Sequence, residues 1–188
     1  MDITEEGNRL AKISLSRRFF DVVLNDNADS RNRFNMALEK FVVIDNVGKN
    51  RNIMYALSDK EDTAAHNWIV ERLIEAVGIE PEVFVSDMDL EIEQVISLRC
   101  QIRIILCIQH IVTNLPKNLR SKLHDTFSDF MKAFWHCYWS KSQAVFENRW
   151  NAMLEHHAAA VSYLQQELQP RKQKWAWAWA WTGLKFTA

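Results

Sequence analysis

Apolar and polar positions along this chain change period several times, and each change marks an element. Up to about residue 16 no period persists, and the segment reads as a polar lead-in. "FFDVVLN", residues 19–25, is short, apolar and β-branched and predicts a strand. "MALEKFVVI" and "NRNIMYALS" predict two more, joined by "DNVGKN", where Asp45, Asn46 and Gly48 supply turn chemistry. The three make an antiparallel meander.

At Asp62 the period lengthens. In "DTAAHNWIVERLIEAVG" the residues Ala64, Trp68, Ile69, Leu73, Ile74 and Val77 recur at helical spacing, and Gly78 is placed to end the helix. "EVFVS", opened by Pro81, predicts a buried strand, and "DLEIEQVISL" a short helix with Leu90 and Ile96 inward. "QIRIIL" predicts a fifth strand and "CIQHIVTNL" the start of another helix. Beyond about residue 110 the pattern is helical only. One stripe runs through Leu119, Leu123, Phe127, Phe130, Met131, Phe134 and Tyr138. A second runs through Val145, Phe146, Trp150, Leu154, Val161, Leu164 and Leu168, with Ser140 as its N-cap, and Pro170 interrupts it.

Three antiparallel strands followed by helix, strand, helix, strand, helix is the order of an α/β, RNase H-like mixed sheet, the meander being extended by two parallel strands. Such a sheet sets its first and fourth strands side by side, with their carboxyl ends at one crevice. The expected organisation is a lead-in over 1–18, a partial RNase H-like core over 19–110 and a helical insertion over 111–188.

Composition narrows the class. A chain of 188 residues, 48% hydrophobic with four Gly and three Pro, is long enough for a substantial core and rich in regular structure. A net charge of −1 gives no global reason to bind nucleic acid or an anionic membrane, so any such binding needs a local basic patch. The cysteines, Cys100, Cys107 and Cys137, are odd in number and scattered, and the N-terminus has no apolar signal-peptide core; an intracellular, reducing compartment is expected. The apolar runs fall short of the ~20 residues that span a bilayer.

The candidate chemistry lies at the strand ends. Asp26 closes the first strand and Asp87 the fourth. Mg²⁺ takes oxygen ligands, often one or two carboxylates completed by water and phosphate. Two such ions about 3.5–4 Å apart can serve phosphoryl transfer. The competing reading makes both aspartates loop-entry residues, because Asp favours turns and helix starts. Asp45 reads as a hairpin-turn residue, and Asp89 as the cap of the following helix or a weaker metal candidate. Cys107 and His110 form C-x-x-H on one helical turn. Zinc asks for four ligands, so a buried Cys with a hydrogen-bonded His is preferred unless His136, Cys137, His156 or His157 folds back to the pair. His156 and His157, adjacent on a helix, point about 100° apart and make poor joint ligands.

Several separate stretches resemble the Mutator-like element (MULE) transposases, in order and in spacing. "FFDVVLNDNADSRNRFNMALEKFVVIDNVGKNRNIMYAL" is similar to the start of their catalytic domain, and "EDTAAHNWIVERLIEAVGIEPEVFVSDMDLEIEQVI" to the part that delivers their second aspartate. "LCIQHIVTNLPKNLRSKL" resembles their Cys-x-x-His helix, and "FENRWNAML" with "KWAWAWAW" resembles their helical insertion. The resemblance implies a metal-dependent cut-and-paste DNA recombinase acting in the nucleus. Asp26 and Asp87 then match the first two catalytic, Mg²⁺- or Mn²⁺-binding acids, and Cys107 and His110 match the Cys/His pair. DNA is the implied partner, and self-association is a further expectation.

Departures accompany the match. Gln109 stands where the family has Trp, and "ADSR" after Asp26 adds Asp29. The family's third acid is a Glu on a helix beyond a stretch like "FTA", with which this sequence closes. The expectation is therefore a C-terminally truncated, catalytically impaired transposase fragment with weak or no DNA binding. The alternatives are an active divalent-metal nuclease or a non-catalytic interaction module. Glu147, Glu155 and Glu167 read as solvated helix faces rather than replacements. "KWAWAWAW" alternates like a strand, yet its alanines favour helix. Read as a helix, it points its tryptophans in several directions, so some are expected to be exposed.

Overall fold

The computed structural model describes residues 18–28 and 36–182. The lead-in up to residue 17, Asp29 and the closing "GLKFTA" lie outside the described residues. Two compact units divide the chain between Ile105 and Leu106.

In the first unit β1 (Val22–Ala28), β2 (Ala37–Ile44) and β3 (Asn50–Ser58) form the meander. After them come α1 (Thr63–Val77), β4 (Val83–Ser86), α2 (Leu90–Ser97) and β5 (Arg103–Leu106). The five strands make one mixed sheet in the order β3-β2-β1-β4-β5, with β1 antiparallel to β2 and parallel to β4. The β2–β3 hairpin closes at the predicted turn. Asp45 Oδ1 accepts from the amides of Val47 (3.0 Å) and Lys49 (2.8 Å), and Gly48 takes φ 74°, a left-handed conformation open to glycine. α1 starts on Asp62, whose side chain accepts from Ala65 N, and stops at Gly78, where φ is 82° and the amide donates to Ile74 O.

The core of this unit joins one sheet face to both helices. Val23, Phe41, Val43 and Phe84 from the strands pack with Ile69, Val70, Leu73 and Val77 of α1 and Ile92, Val95 and Ile96 of α2. Three positions of the predicted stripes face outward: Ala64 is exposed, and Trp68 and Leu90 are each 57% exposed. The positions that period alone would give them are filled by His66 and Ile92, both buried. Leu90 is also the first residue of α2, ahead of the turn that reaches the sheet.

The second unit is helical throughout its described residues. It contains α3 (Ile108–Leu123), α4 (Phe127–Tyr138) and α5 (Gln143–His156). An irregular helical stretch over 158–171 contains Pro170, and two short helices follow, α6 (Lys172–Trp175) and α7 (Trp177–Ala180). The predicted stripe through α3 and α4 is interrupted at His124, where φ turns to 45°. Ser142, not Ser140, caps α5, its side chain accepting from Val145 N. Ser140 is buried and its Oγ donates to His136 O at 3.1 Å. Val145 is 40% exposed because it lies in the first turn of α5, and Met153 takes an inward place that the pattern had assigned to Leu154.

The tryptophan repeat is helical but broken. Ala176 has extended backbone (φ −73°, ψ 134°) between α6 and α7, which reorients the tryptophans that follow. Trp175 is fully buried, stacked on Phe134 with ring centroids 5.6 Å apart, and its Nε1 donates to Leu168 O at 2.9 Å. Phe146 and Trp150 complete the cluster. Trp177 is 37% exposed, as the helical reading requires of some members of the repeat.

Candidate functional site

The parallel pairing of β1 with β4 runs Val22 with Val83, Val23 with Phe84 and Leu24 with Val85. That pairing ends at Leu24–Val85; Asp26 lies two residues further along β1, and Asp87 is the first residue after the end of β4. Side chains alternate between faces along a strand. Val23 faces α1 and α2, so Asp26, three residues on in the same strand, belongs to the opposite face. Asp26 is exposed and Asp87 half-buried. Lys40 lies opposite Asp26 across the β1–β2 ladder.

The turn after β4 is ordered by its own carboxylates. Asp87 Oδ1 accepts from the Asp89 amide at 3.1 Å. Asp89 caps α2, its Oδ1 accepting from the amides of Glu91 (2.8 Å) and Ile92 (3.4 Å). Of the two roles the sequence allows Asp89, the cap is thus the one observed.

Behind this turn, on the helix-covered face, lies a buried polar chain that hydrophobic periodicity passed over. Asn25, Glu39 and His66 are 7%, 1% and 2% exposed. Asn25 Nδ2 donates to Glu39 Oε2 at 3.1 Å, and His66 Nδ1 lies 2.9 Å from Glu39 Oε1. A carboxylate can only accept, so the proton of that contact sits on Nδ1. His66 Nε2 is 3.6 Å from Asp89 Oδ2. The hydrogen bond to Glu39 raises the pKa of His66 above its ordinary value, outweighing burial, which lowers it; the charges of Glu39, Asp89 and Glu61 add to the rise. The available signal was a Glu in an apolar strand and a His in an apolar helical stripe, both at core positions by period.

Cys107 and His110 flank the first turn of α3, with the Cys107 carbonyl accepting from Ile111 N at 3.2 Å. Cys107 is the N-cap of α3, with extended backbone (φ −64°, ψ 114°), and only His110 lies within the helix. Among the described residues no three His, Cys, Asp or Glu side chains converge as a metal-binding group. His157 packs edge-on against Phe130 at 5.6 Å, and His156 Nδ1 is 2.7 Å from Ala152 O. Cys137 is buried in the helical unit, and burial pushes its thiol up to about 12, so it is an inert thiol at neutral pH.

Glu147 pairs with Lys172, and Glu167 with Arg171 at 3.2 Å, which ties both half-buried acids to their own unit. A concavity of about 470 Å³ between α4 and α5 is lined in part by His136, Arg149 and His156. Its polar groups close helix ends: Arg149 donates to His136 O at 2.6 Å and to Ser140 Oγ at 3.3 Å.

Chemically, the strand-end pair offers hard oxygen donors at the ends of two adjacent strands, one of them open to solvent. That donor set fits one divalent cation completed by water or phosphate oxygens. A cage made wholly of protein ligands would need further donors, which the described residues do not bring to it.

No curated protein matches the chain. Among solved structures, endonuclease V of Ciona intestinalis in complex with DNA is similar at 13% identity over 56% of this chain and 58% of that one, with a TM-score of 0.33. No helix among the described residues is long and apolar enough to cross a membrane. The model of the MULE transposase domain matches residues 22–114, from the first residue of β1 into α3 and across every strand of the sheet. Over residues 22–114, just under half of its length, this chain is similar to the MULE transposase domain.

Proposed function

We propose that this is a transposon-derived, MULE-type DNA transposase segment of RNase H-like fold, in which Asp26 and Asp87 hold a Mg²⁺ or Mn²⁺ ion against a DNA phosphate. One observation carries the reading: the parallel pairing of β1 with β4, which sets side by side the strand that carries Asp26 near its end and the strand that Asp87 directly follows. The strand order β3-β2-β1-β4-β5 supports the fold assignment. A bound cation would neutralise charge building on a phosphoryl group and lower the pKa of a coordinated water. Asp26 and Asp87 supply its anchoring oxygens, and Lys40, opposite Asp26, supplies a cation on the neighbouring strand.

Strand transfer by this segment is impaired in the same reading. Two-metal phosphoryl transfer needs more anchoring groups than a pair of carboxylates, and no third acid joins them among the described residues. Work in the nucleus and DNA as partner follow from the family, and Cys107 and His110 play no part in the ion site. Titration of the chain with Mn²⁺, followed by a DNA-nicking assay, tests the proposal. Expected are weak binding abolished by Asp26→Asn or Asp87→Asn, and no nicking. Metal-dependent nicking lost in those two variants would replace the impaired reading with an active nuclease.

A non-catalytic interaction module is favoured by a separate observation: Trp139 and Trp177, 53% and 37% exposed, contact each other at 5.0 Å on the helical unit. A strictly monomeric chain by light scattering, unchanged by Trp139→Ser, would remove that second reading.

A further inference from the structure

Two polypeptide segments must be held in register for the site to exist: the end of β1 with Asp26 and the turn after β4 with Asp87. A continuous run of side chains links them through the core. Asn25, beside Asp26, donates to Glu39 Oε2 at 3.1 Å on β2. Glu39 Oε1 receives His66 Nδ1–H at 2.9 Å from α1. His66 Nε2 faces Asp89 Oδ2 at 3.6 Å, and the Asp89 amide holds Asp87 Oδ1 at 3.1 Å.

We propose that Glu39 and His66 are positioning residues, a buried strut that fixes the Asp87–Asp89 turn and so sets the Asp87 carboxylate relative to Asp26. The metal half of this proposal rests on the function proposed above. Neither residue touches the site face. Both lie on the opposite side of the sheet, and they act through the neighbours of the two aspartates.

A purely structural ion pair would be the simpler account, but the structure gives two reasons to go further. Burying a charged pair is a weak way to stabilise a core, since apolar residues of similar volume do as well or better. The pair is also not closed on itself. Glu39 spends its second oxygen on Asn25, and His66 turns its second nitrogen toward the α2 cap, where that nitrogen has no hydrogen-bond partner among the described residues. At 3.6 Å His66 Nε2 faces the Asp89 carboxylate within ion-pair range, an attraction that acts when the imidazole is protonated and draws the α2 cap toward the helix-covered face. Groups hydrogen-bonded behind ligating carboxylates tune metal affinity by about 10–100-fold.

The test uses the full chain and two readouts, amide hydrogen exchange and Mn²⁺ affinity. Glu39→Gln/His66→Leu removes the strut without stranding a buried charge, and Ile69→Val loosens the same helix without touching it. The double variant is expected to speed exchange at the Asp89, Glu91 and Ile92 amides at least about tenfold relative to Leu73, and to weaken Mn²⁺ binding about tenfold. Ile69→Val is expected to move neither ratio. Glu39→Gln alone keeps the length of the side chain and one of the two acceptor oxygens, and should recover part of what Glu39→Leu loses. Unchanged exchange at the three amides in the folded double variant overturns the strut. Absence of Mn²⁺ binding by the unsubstituted chain, with exchange responding as expected, overturns the metal half and the reading beneath it while the strut stands.

Discussion

The sheet unit and the helical unit fill their interiors with different chemistry. Among the described residues the sheet unit buries Asn25, Glu39, Asp45, His66, Ser86 and Glu93, whereas the helical unit buries one polar residue, Ser140, amid Phe130, Phe134, Phe146, Trp150 and Trp175. Burying a polar group costs free energy unless it is hydrogen-bonded, so such groups persist where an arrangement depends on them. Several of the sheet unit's buried polar groups gather around the ends of β1 and β4, behind the two aspartates. The helical unit is held by shape and area, the sheet unit by area plus a directed network.

The largest effects should come from breaking each interior in its own way. Trp175→Ala removes a fully buried indole and its hydrogen bond to Leu168 O. A loss of about 3–5 kcal/mol is expected in urea denaturation. Glu39→Leu should cost a similar amount, about 3–5 kcal/mol, because it leaves the buried His66 and Asn25 without the acceptor they share. The two losses differ in how they can be repaired. Adding His66→Leu to Glu39→Leu should return a large part of the loss, whereas a second substitution beside Trp175→Ala should only add to it. If the double variant is no more stable than Glu39→Leu alone, the two residues do not act as a pair.

Titration separates the units without any substitution. His66 has its pKa raised, chiefly by the Glu39 hydrogen bond. Its contribution is complete below the ordinary histidine value and is lost as pH rises through the raised one. His157 in the helical unit has its pKa lowered, first by burial and then by His156. Its contribution is complete above the ordinary value and is lost as pH falls through the lowered one. Between about pH 5 and 8 the sheet unit should weaken as the helical unit strengthens. Amide exchange at Leu73 and at Phe134, followed across that range, reads the two directions separately. Parallel trends would mean that these histidines do not dominate.

A smaller effect tests the tryptophan repeat. Trp177 rests at 5.0 Å on Trp139 and at 5.8 Å on Trp181 while remaining partly exposed. Trp177→Ala should cost about 1 kcal/mol, the worth of a surface aromatic pair, against the several lost at Trp175 two positions earlier. Equal losses at the two sites would mean that the repeat packs as one buried strip and that Ala176 does not turn the chain.

Strand order was legible because hydrophobic period and turn residues report locally: Asp45 and Gly48 close the hairpin, and Gly78 ends α1. The mixed sheet and the adjacency of β1 and β4 followed from that order. What stayed hidden depends on contacts distant in sequence. His66 and Glu39 are 27 positions apart, and each alone is an anomaly in an apolar pattern rather than a signal. The Cys107 and His110 spacing suggested one shared turn, and the two flank the first turn of α3, Cys107 as its N-cap. The break at Ala176 has no local signal in an Ala-Trp repeat; it directly follows Trp175, which packs against Phe134 and Phe146.

The smallest expected effect bears on the same failing of pattern. Trp68 continues the apolar period of α1 yet stands 57% exposed, beside Ile69, which is buried. Substitutions at exposed sites that anchor no network usually change stability by less than about 0.5 kcal/mol. Trp68→Ser should therefore shift the urea midpoint barely, while Ile69→Ala, one position along, costs about 2–5 kcal/mol. The pair measures how steeply burial falls across the edge of the helix stripe. A loss above about 1 kcal/mol at Trp68 is more than exposure permits, and would place that indole under cover in solution. In that case the sheet unit, too, would owe part of its stability to an aromatic surface, and the contrast between the two interiors would narrow from that side.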